Sequence, residues 1–291
     1  MMKEFCLMTD SSCDLPAELA SELRLLVLPL SLRMGEKTYR NYLDGREISF
    51  KAFYDRIRAG EMAATSAVSV GDFETAMRGV LAEGRDLLCL AFSSGLSTTY
   101  QSAVIAAEHL REEYPERRVE VIDSLSASGG QGLFVYLCAK ERDAGKSFEE
   151  VCAFAREMAP YMCHWFTVDD LYHLKRGGRI STATALFGSM LAVKPVLHVD
   201  DAGKLINMEK ARGRKASMFS LIEHMAATAR DPVNDPVFIT HGDCPDDAEF
   251  LAGEVRRRFG TKQIFISYVG PVIGSHTGAG VLTLFFVGRP R

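Results

Sequence analysis

No apolar run in this chain approaches the roughly 20 residues that a helix needs to cross a bilayer. The N-terminal stretch "MMKEFCLMTDSS" meets polar residues too early to hold a signal-peptide core, which predicts a cytoplasmic protein. Positive charge is not in excess either. With 34 Lys and Arg against 38 Asp and Glu, the formal net charge is −4, so nonspecific nucleic-acid binding has no bulk electrostatic support. The 7 cysteines form no C-x-x-C pair and there is no H-E-x-x-H, so no metal site is expected, and thiols scattered through apolar runs fit a reducing compartment. A G-x-x-x-x-G-K-[ST] loop is missing too, so no kinase activity is expected of this chain alone. Low-complexity segments are absent.

What is present suits a soluble protein with ample core. The 291 residues are 47% hydrophobic and 25% charged, and that length gives two domains as the natural prior. The first half alternates strand and helix signals. The runs "EFCLMT", "LLCLAF" and "RRVEVIDS" are separated by helical patterns, which implies crossovers and a largely parallel sheet. "LLVLPLSLRMGEKTYRNY" reads as a hairpin turning near Gly35, with Leu28, Leu30, Leu32 and Met34 on one face. Helices over "SFKAFYDRIRAG" and "VGDFETAMRGVLAEG" close on Gly60 and Gly84, and Ser147 with Glu150 spells a capping box. From about Tyr161 the texture changes. A hairpin turns at Asp201–Gly203, and "PVFITHGD" and "QIFISYVGPVIG" are strands around a helix. The expected organisation is therefore an N-terminal α/β domain, 1–160, with a mainly parallel sheet, and a C-terminal α/β domain, 161–291.

The junction "FSSGLSTT" crowds hydroxyls between a strand and a helix. Capping needs only one of them. A catalytic serine would need a nucleophile elbow, yet Phe92 and Leu96 frame Ser93 and Ser94 where glycines should stand. An anion cradle uses the free N–H groups and positive end of the helix, and neutral hydroxyl donors suit a carboxylate better than a triphosphate. Thr65 and Ser66 precede a further helix and read alone as a capping region. His276 sits among four glycines in "GPVIGSHTGAGV", read as a loop between two apolar strands and suited to hydrogen-bond an anion. Lys175, Arg176 and Arg179 in "LKRGGRIS", and Lys210, Arg212, Arg214 and Lys215 in "EKARGRKAS", are either a docking surface for something acidic or ordinary solvated charge.

Taken in order, "TDSSCDLP", "NYLDG", "TSAVS", "SSGLSTTYQSA", "VIDS", "LKRGGRIS", "KPVLHV", "ARGRK" and "GPVIGSHTGAG" resemble the DegV family of bacterial lipid-binding proteins, the fatty-acid-carrying subunits of fatty acid kinase. The resemblance implies two α/β domains with a long-chain fatty acid in a tunnel between them. It implies a carboxylate bound by Thr65, Ser66, Ser93, Ser94 and His276, and a separate ATP-dependent kinase that converts it to an acyl phosphate. Arg176, Arg179 and Arg212 become candidates for kinase contact or phosphate handling. No cofactor beyond the fatty acid, no nucleic acid and at most transient membrane contact are implied. The alternatives are an acyl hydrolase or transferase using Ser94 with His276, and a lipid-sensing regulator. Ala67 and Val68 stand where the family commonly has Gln-Pro, and Thr98 stands where glycine is usual. Ser275 and Ala279 replace Thr and Pro. These changes leave the head-group donors in place and bear on chain length and unsaturation. A chain of roughly 16 carbons at about 0.8 kcal/mol per methylene supplies on the order of 12 kcal/mol before association costs, so the tail would carry affinity and the hydroxyls orientation.

Overall fold

Apolar runs flanked by helices on both sides are buried along their whole length, and two of them build the middle of the first sheet. In the computed structural model, which describes residues 5–169, 171–180 and 193–290, strands form over β1 (Cys6–Asp10), β2 (Leu26–Leu28), β3 (Ser31–Met34), β4 (Lys37–Arg40), β5 (Ala63–Ser66), β6 (Leu87–Ala91) and β7 (Val119–Asp123). The later strands are β8 (Met162–Thr167), β9 (Val193–Val199), β10 (Leu205–Arg212), β11 (Val237–His241), β12 (Ile264–Tyr268) and β13 (Leu282–Val287). Ser181, the last residue of the "LKRGGRIS" stretch, lies outside the described residues.

The first sheet runs β2-β1-β6-β7 and every pairing in it is parallel, as the alternation of strands and helices predicts. The second runs β10-β9-β8-β13-β11-β12 and is antiparallel except between β11 and β12. A small third sheet, β4-β3-β5, is antiparallel throughout. The expected hairpin turning at Gly35 is β3–β4. Leu28, Leu30, Leu32 and Met34 are all buried, but they serve two cores, because the chain passes from the first sheet to the third at Pro29–Leu30. The hairpin around Asp201–Gly203 is β9–β10.

Two expectations change, and one strand lies beyond them. Thr65 and Ser66 lie in strand β5, paired with Leu32 and Ser31, and the next helix, Val70–Ala82, is capped by Ser69 instead. The segment around His276 is a short helix, Pro271–Thr277, started by proline at its first position. The change of texture near Tyr161 hides a fully buried central strand, β8.

The helix Gly129–Asp143 holds the two large sheets together. Eleven of its 15 residues are buried, the signature of a helix covered on all sides. Its glycines allow that fit. A Cβ on Gly129 would stand 2.8 Å from Phe285 and one on Gly130 2.2 Å from His164, both in the second sheet, whereas one on Gly132 would stand 2.7 Å from the Cys13 carbonyl on the other side. One apolar cluster consequently joins Leu7, Leu88 and Ile122 of the first sheet to Phe238 and Phe285 of the second through Leu133 and Phe134.

At the carboxyl end of β1 the buried Asp10 ties these layers. Its carboxylate accepts from Phe92 N–H at 2.9 Å, from Ser12 N–H at 3.1 Å and from Gln131 Nε2 at 3.2 Å, with the Ser12 hydroxyl as a further donor. Burial pushes its pKa up, and these hydrogen bonds oppose the rise. Asp10→Ala leaves those donors buried without an acceptor, and we expect a loss of about 3 kcal/mol or more in urea unfolding. Asp10→Asn, which turns a donor toward donors, should lose most of that as well. An Asn variant as stable as the parent protein would show that the carboxylate does not hold these elements.

Candidate functional site

Where the carboxyl edge of the parallel sheet faces the second sheet, a cavity of about 230 Å³ remains. Its walls are largely apolar, with Phe92 and Leu96 from the first sheet's edge, Phe166 and Phe285 from the second sheet, and Val199 and Leu205 from the β9–β10 hairpin. Clefts beyond the carboxyl ends of parallel strands are the usual place for ligands in such sheets.

The mouth is polar. Thr65 reaches it from β5, and its Oγ1 lies 2.8 Å from Nε2 of His276. The helix Pro271–Thr277 places His276 in its last turn, and among the described residues the other ring nitrogen, Nδ1, has no hydrogen-bond partner. Gly177 packs against that nitrogen so closely that a Cβ there would stand 2.2 Å from it. The "KRGGR" turn wraps this corner: Arg176 Nη2 donates to the Ser275 carbonyl at 3.3 Å, and Arg179 donates to the Leu96 carbonyl at 3.1 Å and the Gly177 carbonyl at 2.5 Å. Burial, and then the positive charges of Arg179 and Arg176, push His276 down to about 4. It is neutral at physiological pH, a hydrogen-bonding group beside a cation rather than a second cation.

Thr65, Ser66, Arg179 and His276 thus come together on one cavity. Ser93 and Ser94 do not line it. Ser93 is buried, donating from Oγ to the Gly203 carbonyl at 2.8 Å and accepting from Gly95 N–H at 3.2 Å. It pins the turn of the β9–β10 hairpin to the end of β6, where Gly95 and Gly203 permit the close approach. Ser94 is exposed, and its N–H faces the Asp123 carboxylate at 3.2 Å. No hydrogen bond joins Ser94 to His276 among the described residues, so the dyad a serine hydrolase needs is not assembled. Arg212 is exposed at the end of β10 and outside the cavity lining.

The junction still supplies hydroxyls to the cavity, four residues further on. Ser97 and Thr98 line it. Ser97 Oγ accepts from Thr99 N–H at 3.2 Å and so opens the helix Thr99–Glu113, while the Thr98 side chain makes no capping bond. The signal was the surplus of hydroxyls over what capping uses, and the pair from this junction that lines the cavity is Ser97 and Thr98, not the expected Ser93 and Ser94. Among the described residues, no group of His, Cys, Asp and Glu could hold a metal ion, and no helix is long and apolar enough to cross a membrane.

The depressed His276 has a measurable consequence. The fold favours the neutral ring, so this contribution to stability is complete above the unfolded value of 6.5 and is lost as pH falls toward about 4. The wild-type protein should lose more unfolding free energy between those limits than His276→Gln, and equal losses would refute the burial described. In Gly177→Ala the added methyl should displace the ring toward water, moving its NMR titration up toward 6.5.

Comparison with known proteins places this architecture. Residues 4–289 match the DegV family model, described as "Uncharacterised protein, DegV family". A DegV domain-containing protein of Clostridium perfringens is 44% identical over 290 residues, covering 100% of this chain and 99% of that protein. Among solved structures, a DegV lipid-binding protein of Thermotoga maritima superposes with a TM-score of 0.88 at 27% identity, covering 99% of both chains. A DegV family protein of Thermus thermophilus, described for its fatty acid binding, gives 0.88 at 30% identity over 98% of this chain and 99% of its own. The mixed α/β fold with its four-stranded parallel sheet is theirs, and the chain belongs to the DegV family.

Proposed function

We propose that this chain binds a long-chain fatty acid in the cavity and presents its carboxylate to a separate ATP-dependent fatty acid kinase. The observation that carries this reading is the pairing of an apolar-walled cavity with a mouth of neutral donors, where His276 and Thr65 meet at 2.8 Å beside Arg179. The solved relatives described as lipid- or fatty-acid-binding support it. An acyl chain seated against Phe166, Phe285 and Leu205 leaves water for an apolar wall, which supplies affinity. Its carboxylate loses water too and needs donors in return. Thr65, Ser66, Ser97 and Thr98 are placed to give them, with Arg179 supplying charge and His276 a neutral hydrogen bond.

With hydroxyls and a neutral imidazole as most of its donors beside Arg179, the carboxylate stays nucleophilic. In the transfer, a carboxylate oxygen attacks the γ-phosphorus of ATP held by the kinase, ADP leaves, and the new phosphoryl group rests beside Arg176 and Arg179. The chain acts as carrier rather than enzyme, needs no cofactor and works in the cytoplasm.

Protein purified from a bacterial host should carry acid of palmitate or oleate size at one molecule per chain. Native mass spectrometry before and after organic extraction would show the loss of mass. Thr65→Val should weaken rebinding about tenfold. Protein that is always empty and takes up no acid would end the carrier reading. Adding kinase and ATP, with hydroxylamine to trap acyl phosphate, separates a carrier from a sensor, because a sensor yields no hydroxamate.

A further inference from the structure

The cavity holds a second set of polar groups that a carboxylate at the mouth leaves unused. His164 of β8 and Thr283 of β13 stand on one face of the second sheet, where His164 pairs with Phe285 and Thr283 with Phe166. Ser128 joins them at the start of the central helix. These three are only 1%, 4% and 4% exposed, respectively, whereas Ser66 and Thr98 at the mouth are exposed, so they mark the deep end.

Their protons all point away from the cavity. The Thr283 hydroxyl donates to the Thr240 carbonyl at 3.0 Å, and its oxygen accepts the Thr240 N–H at 2.8 Å. The Ser128 hydroxyl donates to the Asp14 carboxylate at 2.6 Å, and Asp14 is itself held by Gly270 N–H at 2.9 Å. His164 Nδ1 faces the Met162 carbonyl at 2.8 Å and so carries the ring proton, leaving Nε2 to face the Ala127 N–H at 3.4 Å. Among the described residues a further proton, on Thr240 Oγ1, is shared between Ser128 at 2.9 Å and Thr283 at 2.8 Å. Among the described residues, what Thr283 and Ser128 keep for a ligand is lone pairs, whereas that of His164 Nε2 is already taken by the Ala127 N–H. A hydrocarbon terminus gains nothing from them, and a second carboxylate would meet them and the buried Asp14 with the wrong sign. A hydroxyl group brings the missing donor.

We infer that the cavity is built for a hydroxylated fatty acid, whose carboxylate lies at the mouth and whose chain hydroxyl donates to Thr283 or Ser128 at the deep end. This rests on the fatty-acid reading above and adds the class of acyl chain to it. Mouth and deep wall then have opposite hydrogen-bonding sense, and a ligand enters in one orientation only.

The test is calorimetric titration with octadecanoate and with octadecanoates carrying one hydroxyl at successive carbons from mid-chain to the methyl end. It is run at about pH 8, above the value of about 7 to which burial raises Asp14, so that Ser128 keeps a carboxylate to donate to. One position should bind about five- to tenfold more tightly than octadecanoate, and positions that bury the hydroxyl unpaired should bind more weakly. In Thr283→Val and Ser128→Ala the ratio of that best hydroxy acid to octadecanoate should fall toward one. Thr283→Ser, which keeps the acceptor and guards against misfolding as the explanation, should retain it. Octadecanoate binding at least as tightly as every hydroxy acid overturns the inference and leaves the fatty-acid reading standing. A preference that survives in both Thr283→Val and Ser128→Ala overturns it as well. Failure of all these acids to bind would remove the fatty-acid reading and this inference together.

Discussion

A carboxylate with no counter-ion among the described residues, sealed at the end of β1, sets the geometry around the cavity. Asp10 gathers backbone and side-chain donors from the 3₁₀ turn that follows it, from the end of β6 and from the central helix. Burying a charge is costly, and only this complete ring of donors offsets the cost. The ring leaves little freedom. Phe92 must start the junction where its N–H meets Asp10, and Gln131 must face the same point. The cavity wall at Phe92 and the helix start at Ser128 are therefore fixed relative to each other before any ligand arrives.

The second organising constraint is that the helix Gly129–Asp143 packs on both large sheets at once. A helix with side chains at Gly129, Gly130 and Gly132 would hold the sheets further apart, and the gap between Phe92 on one side and Phe285 on the other would widen with it. Small residues at the helix start and bulky Leu133 and Phe134 one turn later give close approach at the cavity and filled core beyond it. The ligand space is the place where this packing stops.

Much of this was legible in sequence, for local reasons. The parallel sheet followed from apolar runs separated by helices. Gly60 and Gly84 both adopt positive φ beyond their helices, and Ser147 and Glu150 form the reciprocal capping bonds that their spacing predicts. His276 could be singled out because a histidine among glycines is unusual chemistry in an otherwise ordinary segment, whereas Thr65 and Ser66 read alone as a cap and stood out only through the family resemblance. What sequence could not give depended on distant partners. β5 is a strand because Leu32 and Ser31 are there to pair with it, not because "AATS" prefers one. The helix bearing His276 contains Gly274 and reads as a loop until Pro271 and its buried neighbours are seen to hold it. Ser93 looked like a ligand donor because its acceptor, the Gly203 carbonyl, lies 110 residues away.

That same bond has a further bearing on how such a cavity can vary. The β9–β10 hairpin gives Val199 and Leu205 to the wall, yet its tip rests on a neighbouring loop with no room to spare: a methyl on Gly95 would stand 2.5 Å from the Ala202 carbonyl, and one on Gly203 2.1 Å from Ser93 Oγ. The placing of this part of the wall thus depends on a seam between two remote stretches of chain. Redesigning the pocket for another guest by exchanging the hairpin alone would import a mismatched tip, and the two halves of the seam have to be transplanted as a pair.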